Sequence, residues 1–165
     1  MTVEEIETRD RMQLAAALAQ VIWHEHYTPI IGSLQVAYML ETFQSAEAMM
    51  RQLSEGYRYY LLFERGEPLG YMAIQPRADA LFLSKLYIKA PHRAKGHAKA
   101  AVAFLSALAT ETGAKKIELT VNKNNLPALK AYAKLGFVIS GEVVQAIGGG
   151  FVMDDYTMLK RVEKV

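Results

Sequence analysis

Between Leu81 and Ala98 an apolar strand runs through a short basic turn into a glycine at the start of a helix, LFLSKLYIKAPHRAKGHA. This order builds a backbone cradle for an anion. The first amides of a helix lack intrahelical partners, and the helix dipole puts partial positive charge beside them. Gly96 lets a phosphate approach the backbone without a Cβ in the way, and Arg93, Lys95 and Lys99 surround it with full charges. The helix is marked by Ala98, Ala101, Val102, Leu105, Leu108 and Ala109 at three- and four-residue spacing, with Gly113 as its stop. Neither G-x-x-x-x-G-K-[ST] nor G-x-G-x-x-G occurs here, so nucleoside-triphosphate and dinucleotide sites are unsupported. Alone, the turn reads equally well as an ordinary solvated loop.

A second segment breaks that tie. In Lys115 to Val121, KKIELTV, the residues Ile117, Leu119 and Val121 alternate with polar neighbours, the pattern of a strand. The following Asn122 to Phe137 reads as a turn, a helix and a glycine stop at Gly136. Asn125, Ala128 and Tyr132 fall on one face of that helix. A polar, a small and a phenolic side chain in one row make a poor core stripe and a serviceable ligand wall.

With these residues the chain resembles the GNAT superfamily of acetyl-coenzyme A-dependent N-acetyltransferases. The family's cofactor loop, Q/R-x-x-G-x-G/A, is matched by Arg93, Ala94, Lys95, Gly96, His97 and Ala98. Its later motif is matched by Asn125, Ala128, Tyr132, Gly136 and Phe137. Ala94 stands where many members carry glycine, and His97 where glycine or an apolar residue is common. The resemblance is close in the C-terminal half and loose in the N-terminal half. It implies an α/β (α+β) fold in one domain spanning 1–165: a mixed, mostly antiparallel central sheet with a parallel, splayed strand pair and flanking helices. It also implies acetyl-coenzyme A as cosubstrate, with its pantetheine arm along the backbone of Leu86, Tyr87 and Ile88, contacts from Asn122 and Asn125, and Tyr132 as general acid.

The elements follow in order. A strand near Val3 to Ile6 precedes a helix capped by Asp10 that reaches His24 or beyond, and Ser33 and Ser45 cap the helices Leu34 to Phe43 and Ala46 to Ser54. Strands Tyr57 to Glu64 and Glu67 to Gln75 flank a hairpin turn at Arg65-Gly66. The strand Leu81 to Lys89 should pair in parallel with Lys115 to Val121, and its faltering alternation at Ser84-Lys85-Leu86 suggests a bulge. Strands in Val138 to Ile147 and Phe151 to Lys160 close the chain around a triple glycine.

Composition removes several other classes. A chain of 165 residues with 52% hydrophobic residues suffices for one packed core. A formal charge of +2, with basic and acidic residues interleaved, argues against a nucleic-acid partner. The absence of cysteine excludes disulfides, a Cys–His pair and thiolate zinc sites. His24 and His26 are two apart on a helix and diverge, which argues against a metal site. The N-terminus lacks the basic and apolar regions of a secretory leader, and no run is long and apolar enough to span a bilayer. A cytoplasmic protein without a membrane partner is the expectation, and a homodimer stays open.

Acetyl transfer to an amine sets three demands. An alkylammonium of pKa about 10.4 is neutral in only about one molecule in a few thousand at pH 7, so a proton must be removed. The carbonyl oxygen needs an N–H donor, which the backbone near Tyr87 or Ile88 can supply, and the departing thiolate needs a proton, which the phenol of Tyr132 can give. The sequence names no single base: Glu118, an aspartate or a water chain all fit. Tyr27, Tyr38 and one of the Asp154-Asp155 pair, Asp155 among them, are the candidates for holding an amine acceptor, here a small amine or polyamine. A peptide or protein amine as acceptor, and a non-catalytic coenzyme A sensor, are the competing readings; the sensor has no use for Tyr132.

Overall fold

The computed structural model describes residues 1–93 and 95–162. The elements are β1 (Thr2–Glu5), α1 (Arg9–His26), α2 (Thr28–Ile31), α3 (Ser33–Phe43), α4 (Ala46–Ser54), β2 (Arg58–Glu64), β3 (Glu67–Arg77), β4 (Ala80–Ile88), a 3-10 turn (Ala90–His92), α5 (His97–Thr112), β5 (Lys116–Asn122), α6 (Leu126–Lys134), β6 (Val138–Gly148) and β7 (Phe151–Arg161). Among the described residues these strands form one sheet in the order β1-β2-β3-β4-β5-β7-β6. Pairs β1–β2, β2–β3, β5–β7 and β6–β7 are antiparallel, and β4–β5 is parallel. The sheet is therefore mixed and mostly antiparallel, with helices flanking it, as the resemblance implies. The chain packs as two compact units, Met1–Gln75 with Lys85–Ala100, and Pro76–Ser84 with Ala101–Val165.

In the first unit, α1 buries Met12, Ala15, Ala19, Ile22 and Trp23, which recur at helical spacing. Its N-cap is Thr8, whose hydroxyl accepts from the Arg11 N–H at 3.3 Å; Asp10, the expected cap, lies in the first turn, where its charge still favours the dipole. Ser33 is likewise inside α3, and Gly32, with no side-chain cap, precedes it. Ser45 does cap α4, accepting from the Ala48 N–H at 3.1 Å. The helix α2, not expected from the sequence, is a single Pro-containing turn after Tyr27. In β2 the run Tyr59, Tyr60, Leu61 and Leu62 is buried without alternation, the signature of a strand covered on both faces.

The second unit is built around the parallel ladder, in which Ala80–Leu83 pairs with Lys116–Leu119. Leu81 and Leu83 share a face with Ile117 and Leu119, and all four are buried. Ala101, Val102, Leu105 and Ala109 of α5, with Phe137 and Met158, complete this core. β7 then runs antiparallel to β5 from Lys116↔Arg161 to Asn122↔Asp155 in regular register. Lys160, on the face of its partner Ile117, donates through Nζ to the Leu135 carbonyl at 2.7 Å, which fixes the C-terminal end of α6 to that face.

Candidate active site

The expected site residues divide between the two units. In the first, β4 continues from Lys85 to Ile88 beyond its last β5 pair, Leu83↔Leu119. The backbone there is pressed close to β3: a Cβ on Gly70 would overlap the Tyr87 carbonyl oxygen and stand 2.9 Å from its carbon and 3.1 Å from the Ile88 Cα. The Lys89 N–H donates to the Leu69 carbonyl at 2.8 Å, completing this clamp. Only a residue without a side chain lets the two strands approach so far.

The segment expected to form the cofactor loop follows. Arg93 folds back and donates through Nε to the Ile88 carbonyl at 2.8 Å, so it braces the loop against the end of β4 as well as bringing charge to it. Gly96 has φ +83°, a conformation that favours glycine, and a Cβ there would meet nothing within 4 Å. The space beside it is open and the helix amides begin at His97. His97 is 12% exposed in its side chain, with Nδ1 3.9 Å from a Glu64 carboxylate oxygen, while Lys95 is exposed. Ala98 lies in the first turn of α5. Ala94 lies outside the described residues. A glycine cradle, open space and nearby cations fit the diphosphate of coenzyme A.

Tyr87 also belongs to an aromatic cluster. Its ring lies 5.5 Å from Trp23, 5.8 Å from Tyr27 and 5.4 Å from Tyr71, and Tyr71 lies 6.4 Å from Tyr59. Tyr27 is thereby brought beside Tyr87, one of the residues expected to meet the cofactor, whereas Tyr38 packs edge-on against Phe43 at 6.3 Å within α3. On the Tyr87 face of β4, two residues earlier, sits Lys85, whose Nζ lies 5.8 Å from the Tyr57 ring and 5.7 Å from the Tyr59 ring. Desolvation lowers its pKa to about 8. Sequence reasoning passed over Lys85 and Gly70; the signal for the first was a lysine inside an otherwise apolar strand.

The second unit holds the rest. Asn125 is 2% exposed and caps α6, its Oδ1 accepting from the Ala128 N–H at 3.4 Å, and its own N–H donates to the Asn122 carbonyl at 2.9 Å. Asn122 Oδ1 accepts from the Asn124 N–H at 2.9 Å, which shapes the turn into the helix. Two turns on, half-buried Tyr132 packs edge-on against Phe137 at 5.4 Å. Opposite Asn122 on β7 stands Asp155, 2% exposed, with Oδ1 buried and without a hydrogen-bond partner among the described residues. Burial, then the charge of Asp154, raises its pKa to about 6 against a smaller opposing pull from Lys123. Glu118 pairs with Lys116 at 3.1 Å. Among the described residues no three His, Asp or Glu side chains are grouped to hold a metal ion, and no helix is long and apolar enough to cross a membrane.

Comparison with known proteins agrees with this geometry. The chain is 29% identical over 136 residues to an uncharacterized N-acetyltransferase of Mycobacterium tuberculosis, a match covering 81% of this chain and 86% of that one. Its fold is similar to that of the PaiA N-acetyltransferase from Thermoplasma acidophilum in complex with coenzyme A, with TM-score 0.80 at 18% identity over 98% of this chain and 99% of that one. It is also similar to the ribosomal-protein-S18-alanine N-acetyltransferase from Escherichia coli, with TM-score 0.72 at 17% identity over 99% and 95% of the two chains. Residues 17–137 match the acetyltransferase (GNAT) family, and the protein belongs to it.

Proposed function

We propose that this acetyltransferase moves the acetyl group from acetyl-coenzyme A to a primary amine by direct attack in a ternary complex. The observation that supports this most is Gly96, at φ +83° with open space where a Cβ would stand, at the start of α5 and directly after the cations Arg93 and Lys95. Leu86, Tyr87 and Ile88 offer backbone to the pantetheine arm, and the close approach of Gly70 fixes where that backbone lies. Asn122 and Asn125 shape the turn into α6 that carries Tyr132. Tyr132 gives its phenolic proton to the departing thiolate.

The acceptor in this reading is a small amine. In the first unit the aromatic faces of Tyr27 and Tyr87 supply π-density, and in the second the carboxylate of Asp155 supplies negative charge; each is a feature that holds an ammonium group. Thiol release from acetyl-coenzyme A, measured against simple amines, amino acids and short peptides beside calorimetry of coenzyme A binding, tests both levels. Binding with amine-dependent release supports the reading. Binding without release for any amine or peptide supports the sensor, and release with peptides alone moves the acceptor to that class.

A further inference from the structure

We propose that Asp155 is the proton acceptor for the attacking amine. The proposal rests on the acetyltransferase reading above and supplies the base that the sequence leaves unnamed. Three observations on the second unit carry it. Asp155 Oδ1 is buried without a hydrogen-bond partner among the described residues, in a side chain only 2% exposed. An ionisable oxygen kept from both water and protein partners is costly, and a purely structural position would be filled better by an apolar or amide residue. Sites of proton transfer are where such a cost is retained.

Position is the second observation. Asp155 faces Asn122 directly across the β5–β7 ladder and shares its side of the sheet. Asn122 ends β5 and begins the turn through Asn125 into the helix of Tyr132. Alternation puts Lys160, five residues from Asp155, on the other side, and Lys160 holds the end of α6 there. The proton donor on α6 and the proposed proton acceptor on β7 therefore belong to opposite sides of the sheet around the same strand end. A base and an acid so divided reach one carbonyl carbon only past the end of β5, where Asn122 stands, and the attacking amine is proposed to stand there.

The third observation concerns neighbouring charges. On β7 Asp154 adjoins Asp155, just past the end of β5 Lys123 follows Asn122, and on β6 Glu142 adjoins Val143, the residue opposite Asp155, so alternation turns Asp154 and Glu142 to the other side of the sheet; the charged residues of β5 on the Asp155 side, Lys116 and Glu118, pair with each other. Lys123 Nζ lies 2.9 Å from Asp154 and 2.9 Å from Glu142, so its charge is committed to those two carboxylates. Burial first, and the charge of Asp154 second, hold the Asp155 carboxyl above the ordinary aspartate range against a smaller pull from Lys123.

The step balances. Asp155 takes one proton from the ammonium, keeps it while the product forms and yields it to solvent as the product leaves, and the freed nitrogen lone pair forms the C–N bond. The C–S bonding pair leaves on sulfur, which takes the Tyr132 proton, and the second proton shed by nitrogen restores the phenol. Amide, free thiol and one proton result.

Carboxyl-carbon NMR of the wild-type protein reads the Asp155 titration without any acceptor. A midpoint near 6 is expected, and one near the ordinary aspartate value of about 4 overturns the proposal. Kinetics then compare n-butylamine, which must lose a proton, with trifluoroethylamine, which is already mostly neutral at pH 7. Asp155→Asn should lower kcat for butylamine by about 10²- to 10⁴-fold and remove the acidic limb of its pH profile. It should cost trifluoroethylamine far less and leave coenzyme A affinity unchanged. Equal loss on both amines, a retained acidic limb, or a change confined to KM overturns the assignment. Failure of the wild type to bind acetyl-coenzyme A removes the acetyltransferase reading itself and the proposal with it, whereas binding with an Asp155 midpoint near 4 removes only the proton acceptor.

Discussion

Gly70 on β3 lies so close to Tyr87 on β4 that any side chain at residue 70 would occupy the space of the Tyr87 carbonyl. That carbonyl belongs to the backbone proposed to carry the pantetheine arm, so in this reading packing and ligand recognition meet at one position. Gly70→Ala should destabilise the fold by about 1–3 kcal/mol, because a strand must move and no flexible side chain is available to yield. For a chain of this size each kcal/mol lowers the melting temperature by about 2–4 °C. Calorimetric melting with a coenzyme A titration should show both a lower Tm and weaker binding. An unchanged Tm would mean that β3 and β4 are not in this close contact.

Gly96 joins two effects that two substitutions separate. Its φ of +83° disfavours any L residue, which Gly96→Ala should register as a stability loss of about 1–3 kcal/mol. Gly96→Asp adds a carboxylate where diphosphate oxygens should meet bare amides, so coenzyme A binding should be abolished. Isothermal titration of both variants distinguishes strain from repulsion. Unchanged affinity in the aspartate variant removes the diphosphate from this loop.

Where local chemistry decides structure, the residues told it plainly. The strand, basic turn, glycine and helix from β4 to α5, and the parallel pairing of β4 with β5, follow from spacing and from the handedness of strand-helix-strand crossovers. The boundaries that moved did so for local reasons as well. Thr8 and Asp10 are both good caps two residues apart, and the choice between them depends on where β1 releases the chain. Lys85 carried only the mark of a lysine within an apolar strand, and Gly70 and the orphaned oxygen of Asp155 carried none, because each owes its importance to a neighbour distant in sequence: Tyr59, Tyr87 and Asn122. A pair of adjacent aspartates has no sequence mark saying which is buried; the register of β7 against β5 decides it.

Tyr132 sits two turns into α6 with its ring against Phe137. Tyr132→Phe keeps that edge-on packing and deletes only the hydroxyl. Coenzyme A affinity should stay nearly constant while kcat falls by about 10²- to 10⁴-fold, the range of general acid catalysis. Single-turnover measurements keep chemistry rate-limiting in this comparison. A kcat within about twofold of wild type would show that another group protonates the thiolate.

Lys85 makes a prediction about stability against pH. Its folded pKa of about 8 lies below the ordinary 10.5, because desolvation disfavours the ammonium. Between those values the unfolded chain binds more protons than the folded one, so this residue makes the protein more stable as pH rises from about 8 to about 10.5. Below pH 8 the full cost of holding the charge is present. The faces of Tyr57 and Tyr59 offset part of it. Lys85→Met fills similar volume without charge and should therefore raise stability at pH 7 by about 1–2 kcal/mol. The advantage should shrink through pH 9 and vanish near pH 10.5, where wild-type Lys85 is neutral when folded and the unfolded chain no longer gains from protonation. Urea unfolding of both proteins at pH 7, 9 and 10.5 gives the difference directly. A gap that stays constant across this range would mean that Lys85 titrates at its ordinary pKa, in contact with water instead of enclosed beside Tyr59.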